Sequence, residues 1–196
     1  GYHAGIAGRE LHWFDGNTQS WISQTDTGEW TGWHDRNASS AHANASWQPW
    51  SHPLDDSLAP YYRWFVDGQT NACFNLIDRH VLSGRGDQIA IIFEGDRWDP
   101  SKNDGRGGPV HEQRVTYREL LVEVALRTRV LKQADLSCGD RVALNLPNVL
   151  EQIFYILACQ RLGVIYTPVF GGFSAKTLSD RIHDAGAKVV ITADGG

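Results

Sequence analysis

The chain has 196 residues, a net charge of −5 and 21% charged residues. That length allows one medium domain, or one domain with a small extra module, and a chain of this size buries about two-thirds of its surface, enough for a real core. The acidic balance offers no basic field for nucleic acid, and the longest clearly apolar stretch, Ile153 to Ala158, is far too short to span a bilayer.

Three cysteines, Cys73, Cys138 and Cys159, have no CxxC spacing. An odd number without that spacing argues against a disulfide framework or a cysteine zinc site and for a reducing, cytoplasmic setting. No basic-then-apolar leader is visible at the N-terminus. Methionine is absent and the chain starts at Gly1, so a segment of a longer protein is expected. Seven of the eight tryptophans lie within the first 64 residues, which points to two parts of different composition.

The elements follow in chain order. Residues 9 to 34 read as a small antiparallel meander: Glu10 to Phe14, Ser20 to Gln24 and Trp30 to Trp33, separated by Asp15-Gly-Asn17 and Thr25-Asp-Thr-Gly28 turns. Such a sheet is marginal alone, so its tryptophans are expected to serve packing. Residues 35 to 46 carry no apolar period and read as a linker. Trp47 to Trp64 reads as irregular segments, with a helical turn around Tyr61 to Phe65. Asn75 to Leu82 has helical apolar spacing (Leu76, Ile77, His80, Val81) and is expected to end before Ser83-Gly84.

Residues 88 to 94 form a strand, 99 to 109 a loop, and Gln113 to Val115 a pairing strand. A helix starts at Thr116, where Thr116 and Glu119 make an S/T-x-x-E capping box, and runs to about Ala134. Then come strand 141–146, helix 149–162 with Asn148 and Glu151 as its cap pair, and a stop at Gly163. Strand 164–170 leads to a helix capped by Ser174 and ended by Gly186, and strand 188–192 closes the run. Strand–helix–strand–helix–strand with short loops implies an α/β fold with a parallel sheet flanked by helices, preceded by the meander. Residues 1–46 are assigned to a Trp-rich extension and linker, and 47–196 to an α/β portion.

Phe170-Gly171-Gly172-Phe173-Ser174 joins a strand end to a helix start. Exposed amides there can hold an anion, and glycine lets a ligand come close. Ligands of open parallel sheets sit at the carboxyl ends of strands; an ordinary tight turn would look the same. It is neither a Walker loop nor GxGxxG. Gly105-Arg-Gly-Gly108 reads as a hairpin tip. Asp180, Arg181, His183 and Asp184 read as a solvated helix face whose charges offset one another. Asp78-Arg79-His80 reads as a charge-paired helix end. The eight histidines show no HxH or HExxH metal spacing, and no nucleophile–base pair or complete active site stands out.

Several of these segments, taken together, carry a resemblance. Tyr62-Arg-Trp-Phe-Val-Asp-Gly-Gln-Thr-Asn-Ala-Cys-Phe-Asn75, Asp78-Arg-His80, Ala90 to Asp96, Thr116-Tyr-Arg-Glu-Leu120 and Gly139-Asp-Arg-Val142 with Leu146-Pro-Asn148 are the first of them. Ala158-Cys-Gln-Arg-Leu-Gly163, Val169-Phe-Gly-Gly-Phe-Ser174, Asp180-Arg-Ile182 and Ile191-Thr-Ala-Asp-Gly195 continue the run. The ordered set, over about residues 47 to 196, resembles the start of AMP-forming acyl-CoA synthetases of the acetyl-CoA synthetase type. The resemblance implies a ligase using ATP, Mg and coenzyme A: a carboxylate attacks the α-phosphate of ATP to give an acyl-adenylate and pyrophosphate, and the CoA thiol then displaces AMP. It places the phosphate loop, the magnesium contacts and the late adenylation lysine beyond residue 196, so no catalytic residue and no metal ligand is carried over. It assigns Phe170, Gly171 and Gly172 to cofactor binding, Gly172 matching a residue that lines the CoA nucleotide site.

Three features narrow the resemblance. Trp98 to Val110 lengthens a loop that is short in common acetyl-CoA synthetases, Tyr166-Thr-Pro168 and Lys176-Thr-Leu-Ser179 differ from them, and the Trp-rich N-terminus is extra. All three are similar to a multidomain family of the 3-hydroxypropionate pathway, in which a ligase domain precedes a hydratase-like domain and an NADPH-dependent reductase domain. This implies 3-hydroxypropionate as the small carboxylic acid and those further domains as partners, with a homo-oligomer open and neither nucleic acid nor membrane as partner. A stand-alone acetyl- or propionyl-CoA synthetase, or a non-enzymatic Trp-rich interaction module, are the alternatives.

Overall fold

A computed structural model describes residues 51–194, together with the backbone of three short strands nearer the N-terminus. The chain divides into two compact units, Gly1–Asn71 and Ala72–Gly196.

In the first unit β1 (Trp13–Asp15), β2 (Ser20–Gln24) and β3 (Trp30–Trp33) form an antiparallel sheet in that order. The backbone register sets Trp13 opposite Ile22 and Trp21 opposite Trp33. This is the expected meander. Its Asp-Gly and Thr-Gly turns, Glu10 to His12 and the 35–46 linker lie outside the described residues.

The helical turn expected around Tyr61 to Phe65 is not there. β4 (His52–Asp55) and β5 (Arg63–Val66) instead pair antiparallel. Pro53 suggests a break, but a two-stranded ribbon has only edge strands, where a missing N–H is tolerated. Trp64-Phe65-Val66 is an aromatic and β-branched run that suits a strand, and Asp55 pairs with Arg63 across the ribbon. The backbone amide of Ser51 extends the ladder to the Val66 carbonyl at 2.8 Å.

The second unit opens with helical segments Phe74–Asp78 and Val81–Arg85, both wound with wide π-type turns. The helix therefore passes Ser83, where the sequence predicts its end, and Gly84 takes φ +82° inside it. Cys73, Phe74 and Ile77 are buried. β6 (Ile89–Glu94) and β9 (Glu112–Thr116) pair antiparallel, as expected. Between them β7 (Trp98–Asp99) and β8 (Gly108–Pro109) close a short hairpin in the segment read as loop.

α1 (Tyr117–Gln133) starts with the expected capping box: Thr116 Oγ1 accepts from the Glu119 amide at 3.2 Å, and the Thr116 amide donates to the Glu119 carboxylate at 2.8 Å. Its buried stripe is Leu120, Val124, Thr128 and Leu131. β10 (Arg141–Asn145) leads to α2 (Leu150–Leu162), then β11 (Ile165–Pro168), α3 (Ala175–Ala185) and β12 (Val189–Thr192). These three strands form a parallel sheet in the order β11-β10-β12. Val142, Ala143 and Leu144 in the central strand are fully buried.

One cap differs. The N-cap of α2 is Val149 in an extended conformation with no side-chain hydrogen bond, so Asn148 and Glu151 do not form a cap pair. The Val149 amide turns back to the Pro147 carbonyl at 2.8 Å, which leaves Asn148 one residue before the cap position. Burial of Leu150 and Phe154 fixes the helix start instead. Gly163 and Gly186 end α2 and α3 in the left-handed region, at φ +72° and +58°. Leu120, Val124, Leu131, Leu144, Phe154, Leu157 and Val164 join one hydrophobic core.

Candidate functional site

The two ends of the parallel sheet have different chemistry. At the amino end, charged groups are consumed in holding the fold. Asp140 accepts from the Ser137 amide at 2.9 Å and hydroxyl at 3.0 Å, and meets Lys188 Nζ at 2.5 Å. Lys188 and then Ser137 hold the Asp140 carboxyl at about 2, below the usual 3.8. Arg141 donates to the Ala185 and Gly186 carbonyls at 3.1 and 3.0 Å, placing a cation at the negative end of α3.

At the carboxyl end the chain is left open. The Val169 amide still reaches the Leu144 carbonyl at 2.8 Å, and Val169 is buried. One residue later Phe170 is 69% exposed, so the backbone leaves the core there. Asn145 and Thr192 end the neighbouring strands, with Nδ2 3.5 Å from Oγ1.

In the turn, a side chain at Gly171 would meet nothing within 4 Å, whereas one at Gly172 would run into the Phe170 ring. The Phe170 and Phe173 rings meet edge to face, centroids 5.8 Å apart. Ser174 Oγ caps α3 by accepting from the Thr177 amide at 3.2 Å, and the Phe173 amide donates to the Phe170 carbonyl at 3.1 Å. Two of the amides that could hold an anion are thus used within the protein. What the turn does present is an open glycine face beside an exposed aromatic ring. That arrangement fits the flat base of a nucleotide better than a bare phosphate.

The other candidate segments serve the fold. The Trp98 indole fills the space where a Gly107 side chain would lie, and Asn103 Nδ2 donates to the Gly107 carbonyl at 2.9 Å, so Gly107 and Gly108 answer to packing and Gly105 to its φ of +84°. Asp78 receives both Nη atoms of Arg161 from α2, at 3.1 and 2.5 Å, and the His80 ring meets Tyr117 at a tilt, centroids 4.6 Å apart. On α3, Asp180 pairs with Lys176 at 2.8 Å and not with Arg181, because i,i+4 neighbours meet on a helix. His183 Nδ1 lies 2.9 Å from the Ser179 carbonyl. Arg181 lies over the Phe173 ring, 5.1 Å from its centroid. No spacing signals that contact, because Phe173 lies before the Ser174 cap and outside the helical register.

A groove of about 300 Å³ between β9, α1 and α2 is lined by Arg114, Glu119, Glu123, Arg127 and Phe154. Three of its charged groups are committed, Arg114 to Glu112, Arg127 to Glu123 and Glu119 to Thr116, and Glu151 lines it as well. Among the described residues no three of His, Cys, Asp and Glu converge to hold a metal ion, so no step through magnesium is derived from them. Also among them, no helix is long and apolar enough to cross a membrane.

Comparison with known proteins agrees with this α/β frame. Residues 79–195 match the family described as AMP-binding enzyme, and residues 38–76 match the acetyl-coenzyme A synthetase N-terminus. The chain belongs to the AMP-binding enzyme family. It is similar to the acetyl-coenzyme A synthetase of Methylobacillus flagellatus, 47% identical over 160 residues, which is 81% of this chain and 22% of that protein. The acetyl-coenzyme A synthetase of Wolinella succinogenes is 46% identical over 149 residues, 76% of this chain and 21% of that protein. The chain spans about a fifth of the length of these relatives.

Proposed function

We propose that the chain is the N-terminal part of an ATP-dependent acyl-CoA ligase that activates a short carboxylic acid through an acyl-adenylate. We read the parent as a multifunctional enzyme of the propionyl-CoA synthase type. It would activate 3-hydroxypropionate, dehydrate the thioester and reduce it with NADPH. In this reading the chain contributes the Phe170-Gly171-Gly172 turn as one wall of the site for the nucleotide part of coenzyme A.

The observation that carries the ligase reading is the open glycine face beside an exposed ring at the carboxyl end of β11, within a chain of the AMP-binding family. The finer reading is supported by the Trp98–Val110 insertion, which is a built element. It has its own two-strand ladder, an indole packed on Gly107, and Lys102 reaching the Pro109 and Val110 carbonyls. A stand-alone acetyl-CoA synthetase is the second reading, favoured by the likeness to acetyl-coenzyme A synthetases.

The test uses the full-length enzyme. AMP formation from ATP and CoA is measured with acetate, propionate and 3-hydroxypropionate, and NADPH consumption is followed with each. Preference for 3-hydroxypropionate with coupled NADPH oxidation is expected. AMP formation with acetate and no NADPH consumption would leave the stand-alone synthetase. No acid-dependent AMP with any substrate would refute the ligase reading.

A further inference from the structure

Phe170 is a large apolar ring left mostly in water, and Phe173 beside it is 46% exposed. No core holds them. The Phe170 ring lies over Gly172, close enough that a single added methyl would collide with it. It also meets the Phe173 ring, edge to face at 5.8 Å and an interplanar angle of 81°. Phe173 in turn carries the guanidinium of Arg181 on its face, 5.1 Å from the centroid. Asp180, next to Arg181 in sequence, pairs with Lys176 at 2.8 Å. The four groups form one chain of contacts from α3 to the glycine turn: Arg181 on Phe173, Phe173 on Phe170, Phe170 over Gly172.

We propose that Arg181 is a positioning residue: by holding Phe173 it fixes the Phe170 ring at the glycine turn and so pre-organises the surface that receives the CoA nucleotide. The inference rests on the reading of that turn as part of the CoA site. An exposed ring free to rotate must be ordered on binding, and ordering it beforehand lowers that cost. A cation over an exposed ring gives about 0.5–1 kcal/mol, which converts to roughly two- to fivefold in an equilibrium constant.

Steady-state kinetics on the full-length enzyme test this. Arg181→Gln should raise KM for CoA about two- to fivefold and leave kcat at saturating CoA, and KM for ATP and acid, unchanged. Arg181→Lys, which keeps a cation, should recover most of the loss. Phe173→Leu should reproduce the Arg181→Gln effect, and the double variant should be no worse than either single one, since they act through one contact. An unchanged KM for CoA in Arg181→Gln, equal losses in all three KM values, or additive losses in the double variant would each overturn the proposal. Phe170→Ala separates it from the reading beneath it. If Phe170→Ala raises KM for CoA while Arg181→Gln does not, only the positioning role falls. If Phe170→Ala also leaves KM for CoA unchanged, the turn is not part of the CoA site.

Discussion

Asp78→Ala isolates the effect of burial on an ion pair. Asp78 ends the first helical segment of the second unit and receives Arg161 Nη1 and Nη2 at 3.1 and 2.5 Å. The two side chains are only 16% and 12% exposed. Removing the carboxylate leaves a guanidinium largely out of water without its counter-charge. Breaking such a pair costs about 3–5 kcal/mol, and the residual water contact puts this one near the lower figure, about 3 kcal/mol. In a chain of this size each kcal/mol lowers Tm by about 2–4 °C, so a fall of roughly 6–12 °C is expected. Lys176–Asp180 is the control: the same chemistry at i,i+4, but 84% and 64% exposed. Asp180→Ala should cost no more than about 0.5 kcal/mol. Urea unfolding followed by far-UV circular dichroism measures both. Equal losses for the two variants would refute the argument that burial sets the value of the pair. The double replacement Asp78→Leu with Arg161→Met should regain much of the loss, because no buried charge is left behind.

Asp140 and the cysteines give two more predictions. Lys188 and Ser137 hold the folded Asp140 carboxyl at about 2, below its ordinary 3.8. The stability it contributes is therefore present above about pH 4 and lost as the pH falls towards 2. Melting temperatures across that range should fall less steeply for Asp140→Asn than for the parent chain, and identical slopes would contradict the assignment. Burial pushes the Cys73 and Cys159 thiols up to about 11, the guanidinium of Arg161 partly opposing this at Cys73, while Cys138 is exposed. Iodoacetamide at pH 8 should label one thiol per folded chain and three in urea, as counted by mass spectrometry. Two or more labels on the folded chain would refute the burial argument.

Elements of the α/β half that carry two signals are legible in the sequence. α1 has both an apolar period and a capping box, and α3 has both Ser174 and Gly186 at its ends. A single signal is weaker. Asn148 has the right side chain for a cap, but Pro147 and the burial of Leu150 move the helix start one residue on. The β4–β5 ribbon was missed because prolines inside a ribbon look like prolines that break a segment, and because its stabilising pair, Asp55 with Arg63, is a contact between strands. The glycine turn was visible as a turn. Its character depends on Phe170 standing in water and Arg181 lying on Phe173, and no spacing rule encodes which face an exposed ring takes.

The strand order β11-β10-β12 also bears on how the sheet assembles. β10 meets β11 over the span from Arg141 to Ile165, but meets β12 over the span from Val142 to Val189, roughly twice as much chain. Each doubling of a closed loop adds about 0.6 kcal/mol of entropy cost, before any new contact offsets it. The β10–α2–β11 crossover is therefore the cheaper of the two pairings to close. The glycine turn follows β11 directly, whereas the Arg181 contact that steadies its rings comes with α3, inside the longer crossover to β12.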